Sequence, residues 1–282
     1  MSTLRPTADE AFTEYAALVA ANREQVERLR EALPQQQGDF WAGRAPEFRP
    51  GNLDAPEMDA LAALSRPEDT WLDIGAGGGR FAVPLSRHVA RVVAIEPSQA
   101  MRAVLLEAAA AASTTVETID LRWPPGATDV PVPLADASLA ANVLYDITDL
   151  REFLEAMEAY TRRTCVVIVS DRAPSTPDAG VWEALYGEPL HALPALREFV
   201  AILGALGRTY EVHTFPVAPP EPVDAERAVE EVRWRYWIQP GSERAARLRA
   251  LLIERFGEPS GLVRLPARRN YTAVVSWGSP SR

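Results

Sequence analysis

Between residues 70 and 170 the chain alternates short apolar segments with helical ones, and this restricts the possible folds more than any other feature. The apolar segments are 71–75, 91–96, 114–120, 138–144 and 165–170. The last, CVVIVS, is apolar on both faces, as a strand buried between two layers must be. A helix from Gly79 to about residue 87 follows the first, with Pro84 near its first turn. "PSQAMRAVLLEAAAAA" follows the second and reads as a helix with Ser98 as N-cap. Asp149 with Glu152 has capping-box spacing ahead of an apolar stripe of Leu150, Phe153, Leu154, Met157 and Tyr160. Such alternation predicts an open, parallel, doubly wound α/β sheet with helices on both faces.

The flanks extend this core. Residues 8–33 are rich in Ala, Glu, Arg and Leu, with Phe12, Tyr15, Leu18, Val19, Val26 and Leu29 at helical spacing. A Pro/Gly/Arg-rich connector, "FWAGRAPEFRPGNLD", leads to a short helix at about 56–65. After residue 170 come a segment carrying Trp182 and Tyr186, a helix over 195–206, and two further strands at 209–216 and 271–277. Between those strands lie helical patterns at about 223–238 and 242–256. We expect an N-terminal helical cap over 1–55 and a core over 56–282, with a helical insertion at about 222–260 between strands six and seven.

The first strand runs straight into a glycine-rich turn, "TWLDIGAGGGRF". A strand, a glycine turn and a helix together present free backbone N–H groups to a ligand. A dinucleotide fingerprint spaced G-x-G-x-x-G from Gly75 fails, because its third glycine falls on Arg80. From Gly77 it fits Gly77, Gly79 and Ala82, but begins two residues late. The spacing that starts at the strand end is acidic-x-G-x-G-x-G, on Asp73, Gly75, Gly77 and Gly79. A tight turn holding no ligand is the alternative. Glu96 ends the second strand, where a carboxylate can accept hydrogen bonds from a ribose diol. It would serve a nicotinamide dinucleotide as well as any other ribose-bearing cofactor.

The Asp73–Gly79 pattern resembles motif I of the class I S-adenosylmethionine-dependent methyltransferases, and residues 70–170 as a whole are similar to that family's core. The resemblance implies a Rossmann-like, seven-stranded, mostly parallel sheet in the order 3-2-1-4-5-7-6. It implies S-adenosyl-L-methionine as cofactor and S-adenosyl-L-homocysteine as product. Asp73, Gly75, Ala76, Gly77 and Gly79 would pass beneath the methionine part of the cofactor, with Asp73 near its cationic end. The glycines would be required because a Cβ there collides with the cofactor, so a bulky residue at Gly75 should abolish binding without unfolding the chain. Glu96 would hold the ribose; Pro97, Ser98 and Met101 would shape the adenine side, and Asp120 and Leu121 would meet the adenine. Met101 as plain core and Asp120 as a loop cap are the alternatives. "NVLYDI" would bring Asn142 to Tyr145 toward the sulfonium and the acceptor. Relatives that methylate amino or amide groups of nucleic acid or protein carry D/N-P-P-Y there, but this chain has Val143 and Leu144 between Asn142 and Tyr145. The connector "FWAGRAPEFR" also resembles the segment before motif I in members acting on small molecules.

Composition removes several competing chemistries. The net charge is -10, which repels phosphate backbones and acidic lipid, so neither nucleic acid nor membrane is an expected partner. All 29 basic residues are arginine, which excludes a Walker-type or Schiff-base lysine. With one cysteine, at 165, and three histidines, at 88, 191 and 213, no metal site is expected. The apolar runs are too short to span a bilayer, and the first residues lack an apolar signal core, so a cytoplasmic location is expected. A monomer and a homodimer both remain open.

The expected reaction is in-line methyl transfer to a small-molecule acceptor through its O, N or C atom. Tyr145, Asp146 and His191 are the candidate bases, if the acceptor needs one. Tyr15, Phe40, Trp41, Trp182, Tyr186 and Trp237 are candidate lid or acceptor contacts over the carboxyl edge of the sheet. "VRWRYWIQ" could stack a planar or anionic substrate, or could be a helix packing its tryptophans inward. A polyamine-synthase-like enzyme would need a run of acids after the fourth strand, which is missing. A protein that binds the cofactor without catalysis is the other alternative.

Overall fold

The computed structural model describes residues 6–31, 39, 45–50, 55–126 and 130–280. Its strands are β1 (Thr70–Ile74), β2 (Arg91–Ile95), β3 (Glu117–Ile119), β4 (Ala135–Ala141), β5 (Thr161–Ser170), β6 (Tyr210–Pro216) and β7 (Tyr271–Gly278). Among the described residues these form one seven-stranded sheet in the order β3-β2-β1-β4-β5-β7-β6, the order expected from the resemblance. β1 to β5 are parallel neighbours, while β7 runs antiparallel to both β5 and β6. The chain winds outward from β1 in both directions. The carboxyl ends of β1 and β4 therefore splay apart at the switch in strand order.

Alternation along β1 builds both faces of the core. Trp71 joins a buried layer with Leu85, Val92, Leu105 and Leu139. Leu72 and Ile74 join the opposite layer with Val93, Leu150, Phe153, Val167 and Phe199. Each such side chain contributes about 1.5–3 kcal/mol of burial, which holds the strand ends in register. The layers are covered by α1 (Ala8–Leu29), α2 (Pro56–Leu64), α3 (Ala82–Leu85), α4 (Gln99–Ala111), α5 (Leu150–Ala159), α6 (Ala179–Tyr186) and α7 (Leu196–Ala205). Between β6 and β7 come α8 (Ala225–Val232), a 3-10 turn (Arg233–Tyr236) and α9 (Glu243–Phe256).

Several local expectations are corrected. The third strand is shorter than 114–120, because the N–H groups of Ser113 and Thr114 still donate back to Ala110 and Ala109 and finish α4. β4 stops at Ala141 because Asn142 takes φ 58°, a left-handed conformation that ends a strand. Asp149 does not form its capping box: at φ -97° and ψ 56° it lacks the extended backbone of an N-cap, and its side chain makes no cap bond. The box forms instead at Thr7 and Glu10, ahead of α1. The helix expected over 223–238 breaks at Trp237, which sits at φ 54°.

α1 ties three regions together. The Tyr15 hydroxyl donates to the Leu144 carbonyl beyond β4. Buried Gln25 accepts from His191 N at 2.8 Å and donates to Pro189 O at 2.7 Å. At its far end Arg244 donates to Leu29 O at 3.2 Å, and Gln239 N donates to Glu31 Oε2 at 2.6 Å. Among the described residues no helix is long and apolar enough to cross a membrane.

Candidate functional site

The glycine turn leaves β1 still paired: the N–H groups of Gly75 and Ala76 both donate to Ile95 O, at 2.8 and 3.2 Å. Gly75, Gly77 and Gly79 all adopt positive φ, which is why glycine is required at each. The space beside them differs. A Cβ on Gly75 would lie 2.6 Å from Val143 Cγ1, and one on Gly79 would lie 2.8 Å from Leu105 Cγ. These two glycines make room for the chain's own β4 end and α4. The expectation that a bulky residue at Gly75 spares the fold is therefore corrected. Gly77 differs from both: a Cβ there meets nothing within 4 Å. Gly78 lies outside the motif spacing, yet it makes the tightest approach of the four, since any Cβ there would run into the Phe48 carbonyl oxygen of the connector.

Glu96 is built into this turn. Its Oε2 accepts from Gly77 N at 2.9 Å and its Oε1 accepts from Ser98 N at 2.8 Å. Each carboxylate oxygen keeps a second lone pair. Asp73 is buried with Oδ1 lacking any hydrogen-bond partner among the described residues. Burial pushes its pKa up to about 7, with the Glu96 charge adding to the rise and a backbone bond from Ala82 opposing it. The two carboxylates thus lie close enough to feel each other's charge, one of them with an oxygen that has no partner among the described residues. Such a pair attracts a cation.

The far side of Glu96 shows residues that sequence reasoning missed. Asp39 accepts from Ser98 Oγ at 2.7 Å and from Ala100 N at 3.1 Å, docking the connector onto the start of α4. Its only sequence signal is a lone acid in a Pro/Gly-rich stretch. Arg102 donates to Glu96 O at 2.6 Å and to Asp120 Oδ2 at 2.7 Å, clamping the ends of β2 and β3 together. Asp120 is otherwise exposed, Leu121 is buried, and Pro97 is exposed. Met101 is 3% exposed and packs with Ala45 and Val104, so it is core.

At the end of β4 the structure brings Asn142 and Tyr145 together. The buried Tyr145 hydroxyl accepts from Ser170 N at 2.8 Å and donates to Asn142 Oδ1 at 3.3 Å. Burial raises its pKa further from neutrality. Asp146 is exposed, its carbonyl accepting from Arg23 at 3.4 Å. His191 has an exposed side chain, and its backbone is held by Gln25 and Asn22 of α1. No hydrogen bond among the described residues joins these three candidate bases to one another.

The expected lid aromatics fall into different places. Tyr15 is 2% exposed and spends its hydroxyl on Leu144. Trp182 is 1% exposed, lies 4.5 Å from the Tyr186 ring, and sits in a separate core with Val232, Tyr236, Leu248 and Leu252. Tyr186 donates to Tyr236 O, and Trp237 packs on the same cluster. Trp182, Tyr186 and Trp237 hold the insertion onto α6. Phe40 and Trp41 lie outside the described residues.

A doubly wound sheet in this order, with an acidic-x-G-x-G-x-G turn at its switch point and an acid bonded to that turn, is the Rossmann-like arrangement expected from the resemblance. Residues 72–169, about a third of the chain, match the family model of the methyltransferase domain. Among solved structures, the chain is similar to an S-adenosylmethionine-dependent methyltransferase from Thiobacillus denitrificans in complex with S-adenosyl-L-homocysteine. That likeness has a TM-score of 0.51 at 18% identity, covering 89% of this chain and 100% of that one. It is also similar to BH2331 from Bacillus halodurans, with TM-score 0.55, 14% identity, and 82% and 100% coverage. YcgJ from Bacillus subtilis gives 0.52, 14%, 80% and 98%. At these identities the likeness concerns the fold. No curated protein matches the chain.

Proposed function

We propose that this chain transfers the methyl group of S-adenosylmethionine to a small-molecule acceptor held at the carboxyl edge of the sheet. Gly77 carries the reading: a left-handed glycine with open space where its side chain would be, at the switch in strand order and one hydrogen bond from Glu96. The free lone pairs of Glu96 suit a ribose diol, and the unpartnered Asp73 oxygen suits the cationic amino-acid end. When bound, the cofactor supplies an electrophilic methyl group on a sulfonium. The residues then have to orient and exclude water. Asn142, fixed by Tyr145, borders that space from the β4 side. α1 and the 188–191 loop form the cap over this edge in our reading, and the -10 net charge favours a small acceptor over nucleic acid. With the Tyr145 hydroxyl engaged at both lone pair and proton, the chemistry suits an acceptor that arrives already deprotonated.

S-adenosylhomocysteine at about 100 times its Kd should stabilise the fold by about 2.7 kcal/mol. That corresponds to a rise of about 5–10 °C in a thermal scan. NAD should give no rise. No shift with millimolar S-adenosylhomocysteine, or an equal shift with NAD, would sink the proposal.

A further inference from the structure

Arg269 precedes β7, next to Asn270, whose backbone N–H and side-chain amide are held by Asp171 at 2.9 and 2.6 Å. The start of β7 pairs with the end of β5, Ser170 opposite Thr272. Arg269 therefore stands at the carboxyl edge of the sheet, beside the strand end that anchors Tyr145. Its Nε is buried without a hydrogen-bond partner, and no carboxylate forms an ion pair with it among the described residues. The charges that act on it are Arg80, the Tyr145 hydroxyl, Glu57 and Arg268; burial and the two arginines disfavour its own charge. Arg80 follows Gly79 directly and reaches Glu57 only at 3.7 Å. Further toward the insertion, Arg235 is 8% exposed, with its Nε also unpartnered, and it too feels Arg268.

This crowding needs a cause. The chain has 39 acidic residues for 29 arginines, and other arginines are paired closely: Arg91 with Glu117 at 2.6 Å, Arg208 with Glu158 at 2.7 Å, Arg249 with Glu226 at 2.7 Å. Arg269 is half-buried, and a cation partly withdrawn from water, unpaired and beside like charges is disfavoured. A guanidinium left open on its fork is matched by a planar or tetrahedral oxyanion. Its position, beside the end of β5 where Ser170 anchors Tyr145, is on the β4–β5–β7 side of the switch.

We propose that Arg269, with Arg268 and Arg80, forms a subsite for an oxyanion, a carboxylate or a phosphate, on the methyl acceptor. The proposal rests on the methyltransferase reading for the word acceptor, but the subsite itself can be tested apart from it. Benzoate, phenyl phosphate and neutral benzyl alcohol are titrated calorimetrically into the full chain at low salt, with and without S-adenosylhomocysteine. We expect benzoate or phenyl phosphate to bind at least about tenfold tighter than benzyl alcohol, and the tighter anion names the source. Arg269→Gln should lose about tenfold or more of that affinity with S-adenosylhomocysteine binding unchanged. Arg268→Gln, at an exposed position that tolerates change, should lose a few-fold, and it decides the matter if Arg269→Gln does not fold. Anions binding no better than benzyl alcohol, or both variants keeping full anion affinity, would overturn the subsite. A tenfold loss of S-adenosylhomocysteine affinity in Arg269→Gln would overturn it too, by assigning the arginine to the cofactor's own carboxylate. Failure of the wild type to bind S-adenosylhomocysteine would count against the methyltransferase reading alone, since the anion titrations without it still decide the subsite.

Discussion

Gly77→Ala and Gly75→Ala make the same chemical change two residues apart, and the structure predicts opposite outcomes. At Gly77 the new methyl meets nothing within 4 Å, so the cost to the fold is that of holding alanine at φ 54°. Left-handed backbone costs about 1–2 kcal/mol, offset by about 0.4–1 kcal/mol from a stiffer unfolded chain. The net is about 1 kcal/mol, or about 2–4 °C in Tm. At Gly75 the methyl lands 2.6 Å from Val143 Cγ1 at φ 73°, so overpacking of about 1–3 kcal/mol is added to the same strain. Gly75→Ala should therefore lose about 2–4 kcal/mol, and a double-mutant cycle with Val143→Ala should show about 1–2 kcal/mol of coupling. Ligand binding should rank the other way. If the cofactor fills the space beside Gly77, the methyl there weakens S-adenosylhomocysteine about tenfold or more. A tenfold loss drops its stabilisation, at a concentration of about 100 wild-type Kd, from about 2.7 to about 1.4 kcal/mol. Thermal scans with and without ligand, backed by calorimetry, read both quantities. Wild-type affinity in Gly77→Ala would refute the placement of the cofactor, and a Gly75→Ala no less stable than Gly77→Ala would refute the packing.

The remaining predictions concern the acids and the tyrosine at the same edge. Asp73, with its pKa raised to about 7 from an ordinary 3.8, binds a proton more tightly folded than unfolded. Its contribution to stability is therefore full below about pH 4 and is lost as pH rises through 7. Denaturant titrations should show wild type losing ground to Asp73→Asn over that window, by a few kcal/mol at most; a difference that stays constant from pH 4 to 8 would rule this out. Tyr145→Phe leaves the Ser170 N–H buried without its 2.8 Å acceptor and should cost about 1–3 kcal/mol, read by urea unfolding. An unaltered midpoint would show that this bond does not brace the β4 end.

Much of the fold was legible because it depends on period and on chain order. Alternating segments such as 71–75 and 165–170 had to be strands of a parallel sheet, and the motif spacing on Asp73, Gly75, Gly77 and Gly79 located the switch point. What was not legible depends on contacts distant in sequence. Spacing could not separate Gly77, with open space beside its Cα, from Gly75 and Gly79, which accommodate Val143 and Leu105. Nor could it show that Trp182 and Tyr186 pack against the insertion some fifty residues later, at Val232, Tyr236 and Leu248. Aromatic composition alone suggested a lid, yet a helical insertion needs a core of its own, and these residues supply it. The capping box at 149–152 had the right letters, but Asp149 sits at φ -97° and ψ 56°, outside the extended backbone that an N-cap needs.

The carboxyl edge is electrically divided, and the division bears on how methyl transfer could run without a base. Asp73 and Glu96 lie at the ends of β1 and β2, Glu96 tied to Gly77 and Ser98 and Asp73 close enough to feel its charge, so that a sulfonium and an ammonium would be favoured there. Arg268 and Arg269 lie just before β7, and Arg80, at the end of the glycine turn, adds its charge to theirs, so that an anion would be favoured there. Tyr145 stands between them with its hydroxyl committed to Ser170 and Asn142, and burial raises its pKa, so it is poorly placed to take a proton. An acceptor whose oxyanion is held by the arginines needs no such help if its nucleophile is ionised or carries a free lone pair. The same polarity makes each ligand favour the other, since the cation of one and the anion of the other are compensated in one dry space. In that arrangement Tyr145 has a geometric task, keeping Asn142 in its left-handed bend, and the chemistry depends on the placement of charge on either side of it.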